Sequence, residues 1–220
     1  MREQLPSGTP VEVAGPSDAA FGLVVIPDIG GLRPLFDDLV ARLAGEQGWA
    51  VAAPEPFPGR ESMTLEERFA ALSEVDDARF LGDVRAAADR TGAPTVGVLG
   101  FCMGGMYSLK AAGTGRFAAA VSFYGMIRVP EQWRGAGQAD PIELLRRERA
   151  CPVLAIIGGR DQWTPGGDVE DLAAVEGVQV EIYPQAEHGF AHDPSRPAHR
   201  PDDAADAWSK AIAFLRAHGS

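Results

Sequence analysis

Cys102 stands between glycines in Gly100-Phe101-Cys102-Met103-Gly104, after the apolar run Thr95-Val96-Gly97-Val98-Leu99 and before a stretch of small and apolar residues. A sulfur at a strand-to-helix turn can act as a nucleophile. The helix N-terminus offers a positive dipole end and unpaired N–H groups, which favour a thiolate and the oxyanion its attack creates. G-x-S-x-G is the usual form of such a turn. Its glycines are steric requirements, because a Cβ beside the strained nucleophile would strike a neighbouring strand or helix. Taken alone, Cys102 is as readily a small buried hydrophobe. Nucleophilic chemistry also needs a base and a group to orient it. The run Pro152-Val153-Leu154-Ala155-Ile156-Ile157 ends in Gly158-Gly159-Arg160-Asp161, and the run Val178 to Tyr183 is followed by Pro184-Gln185-Ala186-Glu187-His188-Gly189-Phe190. Asp161 and His188 thus each follow the carboxyl end of a predicted strand, where open parallel sheets gather their active sites. In this reading Cys102 attacks, His188 takes the thiol proton and returns one to the leaving group, and Asp161 fixes the imidazole tautomer.

With these three in place, the chain resembles the dienelactone hydrolase family of α/β-hydrolases. The likeness rests on G-x-C-x-G-G at Gly100 to Gly105, the G-G-x-D turn at Gly158 to Asp161 and the His loop at Glu187 to Phe190. It runs from about Gly22 to the C-terminus and includes the turn Phe123-Tyr124-Gly125, which makes Tyr124 a substrate-side candidate. The resemblance implies Cys102, Asp161 and His188 as a triad, with an oxyanion hole from the backbone N–H groups of Met103 and Ile29. It implies hydrolysis of a small carboxylic ester or lactone through an acyl-cysteine, without a cofactor. A thioesterase or acyl-transferase would use the same parts. From another class, a redox-sensing thiol protein or a binding module could occupy the same fold.

Two positions depart from the family pattern. Its first βα loop carries a Glu against the thiol, where Pro27-Asp28-Ile29-Gly30-Gly31 offers the shorter Asp28. Asp28 is expected either to tune the ionisation of Cys102 or simply to cap the loop before the next helix. Four residues after the catalytic His, where the family holds a substrate carboxylate with an Arg, this chain has His192. Other candidates are weaker. Arg33, Arg60 and Arg68 could bind an anionic group or be solvated surface charge, and Trp163 could line the site or serve as packing. His188 and His192 have helical metal-ligand spacing, but Gly189 and Pro194 argue for a loop, and no third ligand is spaced for zinc. Gly30-Gly31 and Gly158-Gly159 match no phosphate or dinucleotide fingerprint.

The elements that must position these residues read as βαβ units. Strands are predicted at Val11 to Val13, Phe21 to Ile26 and Trp49 to Ala53, the first two as an antiparallel hairpin across Gly15-Pro16-Ser17-Asp18. Pro34 opens a helix that presents Leu35, Leu39 and Leu43 and ends at Gly48. A helical region runs from about Leu65 to Arg90, broken near Asp76-Asp77. A last helix, about Asp203 to Ala217, places Trp208, Ala211, Ile212 and Leu215 on one stripe. The irregular segment Val129 to Asp140 is expected near the pocket. The fold expected is a single α/β-hydrolase domain over residues 1–220, with a mostly parallel sheet of about seven strands covered by helices on both faces.

Composition sets outer bounds. The 220 residues are 45% hydrophobic and 23% charged, ordinary for a globular protein. A net charge of −11 argues against a nucleic-acid partner. No apolar run is long enough for a membrane span, and the N-terminus has no signal core, so a cytoplasmic monomer or small homo-oligomer is expected. The two cysteines fall at opposite ends of predicted parallel strands, too far apart for a disulfide.

Overall fold

The computed structural model describes residues 1–147 and 149–219. Its strands are β1 (Arg2–Gln4), β2 (Pro10–Ala14), β3 (Phe21–Ile26), β4 (Ala50–Pro54), β5 (Thr95–Phe101), β6 (Ala120–Phe123), β7 (Val153–Gly158) and β8 (Val178–Tyr183). The helices are α1 (Pro34–Gln47), α2 (Leu65–Ala70), α3 (Asp77–Arg90), α4 (Met103–Ala112), α5 (Pro141–Leu145), α6 (Gly166–Ala173) and α7 (Pro201–His218). β3, β4, β6 and β7 are buried at every residue, which is why their sequences are apolar without alternation: both faces need cover. Leu23, Val25 and Phe101 face α1 and α7, while Val24, Ile26 and Val98 pack in the core formed with α3 and α4. The mostly parallel sheet flanked by helices is the α/β-hydrolase fold.

Strand order is β1-β2-β4-β3-β5-β6-β7-β8, parallel from β4 onward and antiparallel at β1–β2 and β2–β4. Two expectations change. β2 does not form a hairpin with β3, because β4 lies between them. Gly15, at φ 103°, carries the chain so close to Trp49 that a Cβ would sit 2.0 Å from its carbonyl oxygen, and this steers β2 alongside β4 instead. The sheet also has eight strands, not about seven. β1 is three polar residues with no apolar alternation to announce it, and it exists through its pairing with β2. Short and polar, it suits an edge.

The helices follow their local signals. Gly48 ends α1 in the left-handed region at φ 70°. Phe36, Leu39, Val40 and Leu43 form its buried stripe, with Leu35 only half-buried. The predicted break before α3 is a short 3-10 segment (Ala71–Glu74) followed by Asp76, whose side chain accepts from Arg79 N–H. Ala211 and Leu215 bury the face of α7, with Trp208 and Ile212 beside them.

Register then gathers the site. Ile26 pairs with Gly100, Phe101 with Phe123, Phe123 with Ile156 and Ile157 with Ile182, so the loops after β3, β5, β6, β7 and β8 open on one edge. The irregular 129–140 segment is pinned beside that edge. Gln138 donates to the carbonyls of Leu72 and Val75, and the Ala139 N–H donates to Asp77, which also receives Tyr107 Oη–H and the buried Lys110 ammonium at 2.7 Å. Among the described residues, no helix is long and apolar enough to cross a membrane.

Candidate active site

Cys102 links β5 to α4 with φ 56° and ψ −118°, a conformation few non-glycine residues adopt. The surrounding main chain leaves no room for side chains. A Cβ at Gly100 would lie 2.0 Å from Gly104 O, at Gly104 2.2 Å from Ile26 O, and at Gly105 2.6 Å from Phe123 O. Each glycine of the motif is therefore required by contact, and the N-terminus of α4 is pressed against the loop after β3. That approach brings Met103, first residue of α4, beside the segment carrying Ile29. Cys102 N–H donates to Phe123 O at 3.0 Å, tying the turn to β6.

Asp161 and His188 follow β7 and β8, adjacent parallel strands. Asp161 Oδ2 and His188 Nδ1 are 2.8 Å apart, and the other carboxylate oxygen accepts the Trp163 N–H at 2.9 Å. His188 Nε2 is buried without a hydrogen-bond partner, in the cavity of about 620 Å³ that Cys102 also lines. Burial works against a charged His188 imidazole. The hydrogen bond to Asp161 and the neighbouring Cys102 sulfur outweigh it and push the pKa up to about 9.

Asp28 is buried and fully engaged. Its Oδ1 accepts from Gly30 N–H at 2.9 Å and Arg33 Nη1 at 2.6 Å, and its Oδ2 accepts from Arg33 Nη2 and His192 Nε2, each at 2.8 Å. Burial raises its pKa, but these donors more than compensate and hold it well below the usual carboxylate range. His192 continues the network, with its Nδ1 hydrogen-bonded to Tyr124 Oη. Burial lowers the His192 pKa and so favours the neutral ring. A neutral ring that donates from Nε2 to Asp28 accepts the Tyr124 hydroxyl proton at Nδ1. The His192 ring stacks on Phe101 at 4.8 Å, and Tyr124 is fully buried at φ 41°.

The cavity thus sorts the sequence candidates. Cys102, His188, Ile29, Asp28, Arg33 and Trp163 line it. Tyr124 and His192 are buried and do not line it. Arg33 lines the cavity but is already paired with Asp28. Arg60 lies outside it. A turn closed by its own N–H on Phe57 O directs it to Glu74, with Nη1 2.6 Å from the carboxylate. Arg68 is not surface charge. It is 3% exposed, bonded to Glu55 at 3.1 Å, and lines the cavity. Cys102 and Cys151 are both free, and burial pushes the Cys151 thiol up to about 12, far from the reactive state a resolving thiol requires.

Several lining residues carried no motif signal: Phe69, Trp133 and Arg196. Trp133 belongs to the irregular segment expected near the pocket. Arg196 sits in a Pro-rich loop, and only folding brings it to the loop that carries His188. A Cβ on Gly189 would lie 2.5 Å from its guanidinium. Among the described residues Arg196 has no ion-pair partner, unlike Arg33 and Arg68.

Residues 10–219, nearly the whole chain, match the model of the dienelactone hydrolase family. The chain belongs to that family. A carboxymethylenebutenolidase of Rhodococcus opacus is 27% identical over 217 residues, covering 90% of this chain and 82% of that protein. The carboxymethylenebutenolidase of Pseudomonas putida is 25% identical over 202 residues, covering 83% and 80%. A solved chain from Klebsiella pneumoniae superposes at TM-score 0.85 with 25% identity, covering 98% of this chain and 97% of that one. With these relatives the protein is a carboxylic ester hydrolase of the dienelactone hydrolase type.

Proposed function

We propose that this dienelactone hydrolase-like enzyme cleaves a small ester or lactone through an acyl-cysteine, with Cys102, His188 and Asp161 as its triad. The observation that carries this reading is His188, whose Nδ1 is held by Asp161 while its buried Nε2 is unpartnered in the cavity lined by Cys102. His188 Nε2 takes the Cys102 thiol proton, Sγ attacks the carbonyl carbon, a C–S bond forms, and the carbonyl π pair moves onto oxygen. The N–H groups of Met103 and Ile29 receive that oxyanion. Collapse expels the alkoxide, which takes a proton from His188 Nε2. In a lactone the alkoxide stays tethered as the ring opens. Water then attacks the thioester with His188 as base, and the sulfur leaves.

The names of the relatives describe lactones bearing a carboxymethylene group. Arg196 supports the same substrate class here, as a half-buried cation of the cavity with no ion-pair partner among the described residues. It would replace the Arg that this chain lacks at His192. Rapid quenching of the enzyme with p-nitrophenyl acetate, followed by peptide mass spectrometry, is expected to find the acetyl group on the Cys102 peptide. Turnover with acetyl on another residue, or on none, would refute the mechanism.

Asp28 acts in this reading on both sides of the oxyanion loop. It anchors Gly30 and Arg33, and its charge bears on the sulfur as a field, since its four hydrogen bonds, to Gly30, Arg33 and His192, do not include the thiol. Asp28→Asn should lower turnover about 10- to 100-fold through the loosened Ile29 loop, by comparison with loss of an oxyanion donor. Removing a buried negative charge near a thiol also favours the thiolate, so iodoacetamide should alkylate Cys102 faster in the variant. An unchanged alkylation rate would leave Asp28 only its structural task.

A further inference from the structure

The cavity is larger than bond cleavage requires. At about 620 Å³ it has the size that encloses drug-sized ligands, and a small lactone would fill only part of it. Part of its lining is a continuous series of rings. Trp133 and Trp163 stack with centroids 4.9 Å apart and planes inclined by 26°, and Phe69 meets Trp133 at 5.8 Å. The rings arrive on three segments, from α2 after β4, from the 129–140 segment after β6, and from the loop after β7. Internal packing does not account for the whole series. Phe69 is 37% exposed and Leu65, in the same lining, 55% exposed, an apolar surface that water alone does not reward.

We propose that Phe69, Trp133 and Trp163 form a subsite for a flat aromatic ring of the substrate, and that Phe69 and Trp163 set the preference for it. This rests on the cavity being the hydrolase site. Trp163 links the subsite to the chemistry, because its backbone N–H holds the Asp161 carboxylate. Of the arginines that line the cavity, Arg33 is paired with Asp28 and Arg68 with Glu55, so for an uncharged ring the ring contacts decide selection. A flat π-system gains offset or edge-on contacts with such rings beyond the area it buries, whereas a saturated ring gains burial alone.

The test compares benzyl acetate with cyclohexylmethyl acetate, two esters of primary alcohols that differ in the planarity of one ring. The parent should favour benzyl acetate in kcat/KM by about three- to tenfold, the range expected from one or two aromatic contacts. Phe69→Leu and Trp163→Leu should each bring that ratio toward parity. Saturation-transfer NMR with 2-naphthylmethanol and its decahydro counterpart reads the subsite without catalysis. The naphthyl compound should show the stronger contact, weakened in Phe69→Leu. A parent that cleaves neither ester but binds the naphthyl group in this way would refute the hydrolase mechanism and retain the subsite. A parent that cleaves and binds both members of each pair equally, or variants that keep the parental ratio, would overturn the subsite while the hydrolase reading stands.

Discussion

Cys102→Ala and His188→Ala are each expected to reduce ester hydrolysis by about 10⁴-fold or more, and the double variant to be no worse than either single one. Groups that act as a unit lose their joint contribution when any member is removed. Without the sulfur no acyl intermediate forms. Without the imidazole, nothing in the cavity is placed to take the thiol proton and return it to the alkoxide. Asp161→Asn should cost less, on the order of 10³-fold, for a reason visible in its two contacts. The carboxylate accepts from His188 Nδ1 with one oxygen and from the Trp163 N–H with the other. An amide has one acceptor and one NH₂ group, so it must oppose one of these donors. Opposing His188 forces the wrong tautomer, and opposing Trp163 N–H distorts the loop. Steady-state rates on p-nitrophenyl acetate, with thermal unfolding to confirm folding, measure all four variants. Retention of a tenth of parental turnover by Cys102→Ala would remove Cys102 as nucleophile.

Cys102→Ser is expected to lose about 10²-fold or more in kcat instead of becoming a serine hydrolase. The turn itself would accept Ser, since the strain at φ 56° lies in the main chain and each side chain carries a single heavy atom on Cβ. The difference is chemical. A hydroxyl is far harder to deprotonate than a thiol, so the base must do more of the work. Here the base is a His188 whose own pKa is raised to about 9 in the presence of the sulfur. A shorter C–O bond also holds the oxygen back from both His188 and the incoming carbonyl. Equal or higher kcat in Cys102→Ser, at matched stability, would show that thiol chemistry is not what this site is built for.

Much of this protein is local enough to be read from its residues. The turn at Cys102 is legible because backbone crowding admits only glycine at Gly100, Gly104 and Gly105, and the places of Asp161 and His188 are legible because each follows the end of a strand. Helix ends at Pro34, Gly48 and Asp76 are set by their own turns. β1 was not legible, since polar residues become a strand only when β2 offers them a ladder. The place of β4 between β2 and β3 was hidden for a related reason: strand order depends on which edges meet, and every buried strand here reads alike. Tertiary structure also decided the use of charge. Arg33, Arg60 and Arg68 look equivalent in sequence, yet Asp28, Glu74 and Glu55 take one each, by contacts spanning 5 to 14 residues. His192 turns inward 164 residues along the chain from the Asp28 it holds. Among the described residues, Arg196 is left as the unpaired cation of the cavity. Sequence sets which groups can react. Whether a charge is spent on a neighbour or left for a ligand depends on long-range contacts, because an ion pair forms wherever folding brings opposite charges within reach.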